Sequence, residues 1–427
     1  MIVKVGYGKS SLTPLIGTAL AGFASSDRWA TGVHDDLYAR AIILEIEQMR
    51  YAIVQNDLLA LDKESIHILQ KPLKDFGFEE QNIFIGATHT HSGPKGTMKG
   101  TMFGESMESV IGRFNPSVFS QIEAAVSSAV TEAFHNIEKC YIRYGLTEVT
   151  DVATNRNYPD DHGDPALLVM EFNRIDGKKV LLYNFACHPT ILNINNTMIT
   201  ADLPWGVSTI LENSSYDMVM FINGNSGDIS TRFTRKYSDF NEVKRLSTKL
   251  LCGINSALLK LKLLNTANHH VTSFDVAMKI KAMDSIAIAE DKVHQYKIKL
   301  KEAQMKNLPD LRLYESRLEG ALINLELSKS FENISNVSLN ISILRLGSLI
   351  FVFIPGELFS SLCNPLRAEF EGRIIFCGYF NGYFGYIADK RAYDTGNYEA
   401  LSSPFCSGQG EVLIDSIRNN ICKGEGF

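Results

Sequence analysis

Seven short apolar runs, near residues 42–47, 51–56, 82–87, 167–173, 179–186, 217–222 and 348–354, limit what this chain can fold into more than any other feature. They are rich in Val, Ile, Phe and Tyr, too short for ordinary helices, and bounded by Gly, Pro, Asn or Asp, which is the pattern of buried strands. Helical patterning falls between them, near 118–138, 205–214 and 240–260. Strands alternating with helices predict an α/β fold with a mixed β-sheet core flanked by helices. The runs 42–47 and 51–56 are separated only by Gln48-Met49-Arg50. That spacing predicts an antiparallel hairpin, so the sheet is not all parallel.

Several runs end on residues that carry chemistry. Residues 82–87 lead into Thr88-His89-Thr90-His91-Ser92-Gly93-Pro94. A strand explains the spacing: side chains two apart point the same way, so both imidazoles address one centre, at a strand end where α/β proteins place their sites. Leu181 to Ala186 leads to Cys187-His188-Pro189, and Leu349 to Ile354 leads to Pro355-Gly356-Glu357. Each part alone has a plain structural reading: His188 as a hydrogen-bonded core histidine, Glu357 as a helix first-turn acid favoured by the dipole. Together they form a constellation of His, His and Glu at three strand ends, and a metal site needs such ligands from distant segments.

With those motifs the chain resembles the neutral (non-lysosomal) ceramidases, zinc-dependent amidases that cleave the N-acyl bond of ceramide. The resemblance also includes Gly6-Tyr7-Gly8-Lys9-Ser10-Ser11-Leu12-Thr13-Pro14, Gly32-Val33-His34-Asp35-Asp36-Leu37-Tyr38-Ala39-Arg40-Ala41, Asn56-Asp57, Asn381-Gly382-Tyr383-Phe384-Gly385-Tyr386-Ile387 and Asn397-Tyr398-Glu399-Ala400. It implies zinc held by His89, His188, Glu357 and Tyr386, with His91 beside the metal and Arg156 and Tyr398 as nearby hydrogen-bond donors. Ser230, after the glycine-rich turn Asn223-Gly224-Asn225-Ser226-Gly227-Asp228, is similar to the serine proposed as nucleophile in this family. Two departures are Cys187, where valine is commoner, and Thr231-Arg232-Phe233, where Pro-Asn usually follows the serine. Attack by the serine oxygen and attack by water both remain open. Asp57, Asp202 and Asp228 are candidates to receive the free N–H of metal-bound histidines, or are cap and turn residues.

The motifs spread from His89 to Tyr398, which argues for one catalytic domain over 1–427 rather than the two or three domains the length would allow. From 284 to 330 the chain is rich in Glu, Lys, Leu and Ala with apolar residues at helical spacing, broken at Asn307-Leu308-Pro309. This predicts an inserted helical hairpin. Its charged face reads most simply as solvated surface, the alternative being a lid or dimer arm. Gly96 to Gly104, with Met98 and Met102, reads either as a mobile apolar wall for an acyl chain or as a loop without a role.

A net charge of −6 offers no basic surface for nucleic acid or anionic membrane. No apolar stretch is long enough to span a bilayer. Seven scattered cysteines without CxxC spacing indicate neither a disulfide framework nor a cysteine zinc site, and favour a cytoplasmic, reducing location. The amino terminus has no room for a signal peptide before the first family motif. The resemblance also lacks the immunoglobulin-like C-terminal domain usual among exported members. The expected function is therefore a zinc-dependent hydrolase of an N-acyl amide or lipid-like substrate, with a non-ceramide amide favoured and a homo-oligomer left open. The alternatives are an amide-forming or cyclising enzyme using the same zinc and serine, and a metal-free binding protein that keeps the fold.

Overall fold

The computed structural model describes residues 3–24, 27–100, 107–308, 311–331 and 333–423. Strands β1 (Val3–Ser11), β2 (Tyr38–Ile46), β3 (Met49–Asn56), β4 (Ile83–Ala87), β5 (Glu138–Glu148), β6 (Ala166–Arg174), β7 (Lys179–Phe185) and β8 (Met218–Asn223) form a large sheet in the order β8-β7-β6-β5-β1-β2-β3-β4. The β7–β8 and β3–β4 pairs are parallel and the other neighbours antiparallel, so the sheet is mixed. The hairpin of β2 and β3 pairs Ile46 with Met49 across its turn.

A second sheet orders β9 (His269–Lys279), β10 (Asn336–Leu346), β11 (Leu349–Phe353) and β12 (Ile374–Cys377). The two sheets meet face to face. Ile42, Leu44 and Phe84 from the first and Leu344, Phe351 and Phe353 from the second share one apolar layer, with the Phe84 and Phe353 rings stacked at 4.1 Å. Because strand side chains alternate, Ala39, Ala41 and Ile43 of β2 point the other way, under helix α1 (Pro116–His135). Leu167, Val169 and Leu181 likewise point under α2 (Leu203–Glu212) and α3 (Phe240–Leu258).

In the first sheet two strands have no counterpart among the expected runs, and both have a reason. β1 and β5 alternate buried apolar positions with Lys, Glu, Arg, Gly and Ser, so no continuous apolar run marks them. The helix expected to 138 stops at His135 because β5 begins at Glu138. In β1, Gly6 and Gly8 let α1 lie directly on the strand: a Cβ at Gly8 would overlap the Ala129 carbonyl oxygen, and one at Gly6 that of Ala133.

Between β9 and β10 stand α4 (Ile286–Met305) and α5 (Leu311–Ser330). They meet through Val293, Leu318 and Ala321, while Ile323, Leu327 and Phe331 join the main core. The Glu326 carboxylate accepts hydrogen bonds from the Ser109 N–H (3.2 Å) and Oγ–H (3.0 Å), tying α5 to the segment after the His-x-His turn. Met98 is a core residue and Thr97 donates to the Ala60 carbonyl, so the described part of the Gly96 to Gly104 stretch is fixed in the core rather than mobile. Residues 101–104 lie outside the described residues.

Two outcomes are expected. Gly8→Ala should cost about 1–3 kcal/mol by forcing α1 off β1, whereas Gly320→Ala should be neutral or stabilising, since a methyl there finds only ordinary contacts with Leu401 and Tyr398. Chemical denaturation of both variants checks this. Burial raises the Glu326 carboxyl to about 7. A raised folded-state value favours the fold below the unfolded carboxyl range and loses that contribution as pH climbs through 7. Replacing it in Glu326→Gln should therefore flatten the fall in stability measured between pH 4.5 and 8.

Candidate metal centre

The C-terminal ends of β4, β7, β8 and β11 converge, and the turns that follow them carry the candidate residues. Thr88 donates its backbone N–H to the Asn56 carbonyl at the end of β3 and His89 to the Leu58 carbonyl beyond it, and His89 adopts the left-handed conformation at φ 69°. The two histidines therefore do not meet by strand alternation, because β4 has ended at Ala87. A sharp turn at His89 brings the rings to 4.9 Å, edge to face. The expected outcome holds for a different reason.

His89 Nδ1 faces the Leu59 carbonyl at 2.9 Å, and His188 Nδ1 faces the Ser226 carbonyl at 2.6 Å. A carbonyl accepts only, so Nδ1 carries the proton on both rings and Nε2 presents its lone pair. Those Nε2 atoms lie 3.5 and 3.0 Å from Glu357 Oε2, and His91 Nε2 is 3.3 Å from His89 Nε2. Ligating atoms of His89, His91 and His188 lie within 4.8 Å of one another. Burial, opposed on His89 by the Glu357 charge, lowers the His89 imidazole to about 3 and holds His91 and His188 well below the usual histidine range. His188 Nε2 and His91 Nδ1 find no hydrogen-bond partner.

Neutral imidazole lone pairs facing one another around a buried carboxylate are costly unless a cation sits between them. The donor set of nitrogens with a carboxylate oxygen fits a divalent metal, zinc among them.

Tyr383 donates to Glu357 Oε1, and the Tyr379 hydroxyl bonds Ser226 Oγ at 2.8 Å and reaches Glu357 Oε2 at 3.4 Å. The Tyr379 ring stacks on His89 at 4.1 Å. Neither tyrosine was singled out as a site residue. Tyr383 lay in plain view in the tyrosine motif, whereas Tyr379 sits just past β12 with only its aromatic neighbours to mark it. Glu357 pairs in register with Tyr386 across two short parallel strands.

Arg156 donates to the Glu399 carboxylate (2.7 Å), the Gly227 carbonyl (2.8 Å) and the Tyr386 hydroxyl (3.0 Å). Burial opposes the charge on its guanidinium, and Tyr386 and Glu399 outweigh it, so the group is held charged. Burial raises the Tyr386 phenol well above its ordinary value, a shift that Arg156 opposes. Tyr398 stands 5.7 Å from the Tyr386 ring. Ser230 is buried and bridged through its backbone to His188, and its Oγ accepts from the Arg232 N–H at 3.2 Å.

The three aspartates do other work. Asp57 pairs with Arg40 (2.7 Å), Asp202 caps α2 through the Leu203 N–H, and Asp228 accepts from Ser360 and Asn155. Backbone carbonyls take the histidine N–H groups instead.

The profile described as neutral/alkaline non-lysosomal ceramidase, N-terminal, matches residues 3–239, more than half of the chain. The chain belongs to this family. The Drosophila melanogaster neutral ceramidase is 26% identical over 257 residues, covering 53% of this chain and 36% of that protein. The neutral ceramidase of Pseudomonas aeruginosa is 26% identical over 217 residues, 47% of this chain and 32% of that one. The match to these curated ceramidases thus spans about a third of their length. The crystal structure of the Pseudomonas aeruginosa ceramidase superposes with a TM-score of 0.76 at 19% identity, over 98% of this chain and 75% of that one. A structure titled ceramidase complexed with C2 gives 0.75 at 17% identity, over 98% of this chain and 74% of that one. Both show the shared ceramidase fold.

Elemental analysis should find about one divalent metal per purified chain, lost in His188→Ala and in Glu357→Ala. Because a ligand bound only by the folded state stabilises it, chelation should lower the melting temperature and metal addition restore it. A wild type that takes up no metal would overturn the assignment.

Proposed function

We propose that this chain is a zinc-dependent hydrolase of the amide bond in N-acylated, lipid-like amines. The observation that carries the reading is the convergence of three imidazoles and Glu357 at three strand ends, with the Arg156 guanidinium one tyrosine away. His89, His188, Glu357 and Tyr386 would hold the metal, with His91 beside it. A bound zinc ion supplies Lewis acidity, polarising a carbonyl oxygen and acidifying water.

The protein's own groups do the rest. His91, Arg156 and Tyr398 keep a little exposure that His89, His188 and Glu357 lack, which favours an approach of the amide from their side. The guanidinium N–H on Tyr386 and the Tyr398 hydroxyl are the donors placed to stabilise charge developing on the carbonyl oxygen. Glu399 and the Gly227 carbonyl fix the Arg156 fork, so the donor is oriented before substrate binds. The Ser230 hydroxyl oxygen accepts from the Arg232 N–H and keeps its own proton available for transfer. A reducing, cytoplasmic setting belongs to the same proposal, and the free state of all seven cysteines supports it.

The test is release of fatty acid from ceramides and from simpler N-acyl amines by zinc-loaded protein. Turnover of any of them supports the reading, and none by fully loaded protein overturns it. Arg156→Ala should lower kcat by about 10²–10³, as loss of an oxyanion donor does. Ser230→Ala separates the two routes: attack by Ser230 Oγ predicts near-complete loss with acyl-enzyme no longer trapped, attack by water a loss of less than about tenfold.

A further inference from the structure

Three of the most exposed large apolar side chains lie together on one loop. Leu15 is 80% exposed, Ile16 63% and Trp29 59%. Backbone hydrogen bonds from Gly17 to the Ala30 carbonyl and from Ala30 to the Thr18 carbonyl, each 2.8 Å, clamp the two limbs side by side, so the three form one tip. The same limbs run inward to the metal centre. Trp29 bridges Ala19, Leu20 bridges Pro94, the Ala21 N–H bonds the Gly93 carbonyl at 3.0 Å, and Gly22 lies so close to His91 that a Cβ there would overlap its ring. Phe23 then sets its ring edge to face on His91 at 5.1 Å. From Ala19 to Gly22 is three extended residues, about 10 Å.

We propose that this tip docks the protein on the surface of a zwitterionic lipid layer and holds the mouth of the site against it. The inference rests partly on the amidase reading, which supplies a lipid-like substrate, and partly on the tip itself. Its exposed apolar area is on the order of 400 Å², within the range of functional patches on a monomer but about half of the ~800 Å² per partner that a stable protein interface buries. A second copy is therefore underprovided for, whereas shallow insertion of Leu, Ile and Trp side chains into an interface needs no matching surface. No described helix is long and apolar enough to cross a membrane, so contact through this tip is with the surface. The charges select the lipid. Arg28 is turned inward, its guanidinium bonded to the Ala21, His91 and Asn196 carbonyls, Asp27 is exposed beside the tip with the half-buried Lys95 near it, and the chain carries −6 overall. An anionic surface would repel this arrangement.

The experiment is co-sedimentation of the full-length protein with phosphatidylcholine vesicles, alongside tryptophan emission. Wild type should partition onto the vesicles with a blue shift. The double variant Leu15→Glu/Ile16→Glu should bind at least tenfold more weakly, and Trp29→Ala should lose the shift, both with unchanged melting temperature and unchanged turnover of a short-chain soluble N-acyl amine. Absence of wild-type binding at millimolar phosphatidylcholine, binding confined to anionic vesicles, or unchanged binding of the double variant each overturns the proposal. So does self-association that the double variant abolishes while vesicles bind neither protein. Docking without turnover of any amide would sink the amidase reading and leave the docking standing.

Discussion

The arrangement depends on one buried carboxylate. Glu357 stands just past a strand of the second sheet at 2% exposure, with its Oε2 against imidazole nitrogens that follow two strands of the first sheet and its Oε1 bonded by Tyr383. A carboxylate so placed needs positive charge nearby, and the neighbouring imidazoles do not supply it, since burial holds them neutral. The Arg156 guanidinium, whose charge interacts with Glu357, is engaged by Glu399. With that pair balanced, Glu357 is the excess charge of the centre, and a dication reverses its sign. The site would then present net positive charge where a carbonyl oxygen becomes anionic, so the imbalance that makes the centre costly without a cation is the one the proposed amide chemistry would use.

The sequence disclosed the strand ends better than the space between them. His89, His188 and Glu357 were legible because each closes an apolar run, and the run tells the reader where the backbone stops. What brings His89 and His91 together was not legible, for it is a left-handed residue held by carbonyls beyond β3, and those hydrogen bonds are long-range. The same limit hid β1 and β5, whose alternating faces carry glycines beneath α1 and α3 respectively rather than an apolar run. The aspartates misled for a related reason. A carboxylate after a histidine motif suggests a histidine partner, yet Asp202 is taken by the N-terminus of α2 and Asp57 by Arg40, and main-chain carbonyls fill the role without leaving any mark in the sequence.

The centre also straddles two halves of the chain. His89, His91, Arg156, His188 and Ser230 lie within the residues that match the family profile, while Glu357, Tyr379, Tyr383, Tyr386 and Tyr398 lie beyond them, on or after the second sheet. The face-to-face apolar layer, anchored by the Phe84–Phe353 stack, sets the distance between those halves. A cation bound by both histidines and Glu357 would therefore cross-link the sheets at the point where their strands end. Metal affinity and sheet docking are then one equilibrium read in two ways. Whatever loosens the apolar layer weakens the metal site, and whatever removes Glu357 leaves the first sheet's imidazoles facing nothing of opposite charge. That coupling would account for the depth at which a centre of neutral imidazoles and a single carboxylate is buried: an ion that repaid its desolvation would also hold together the two layers that bury it.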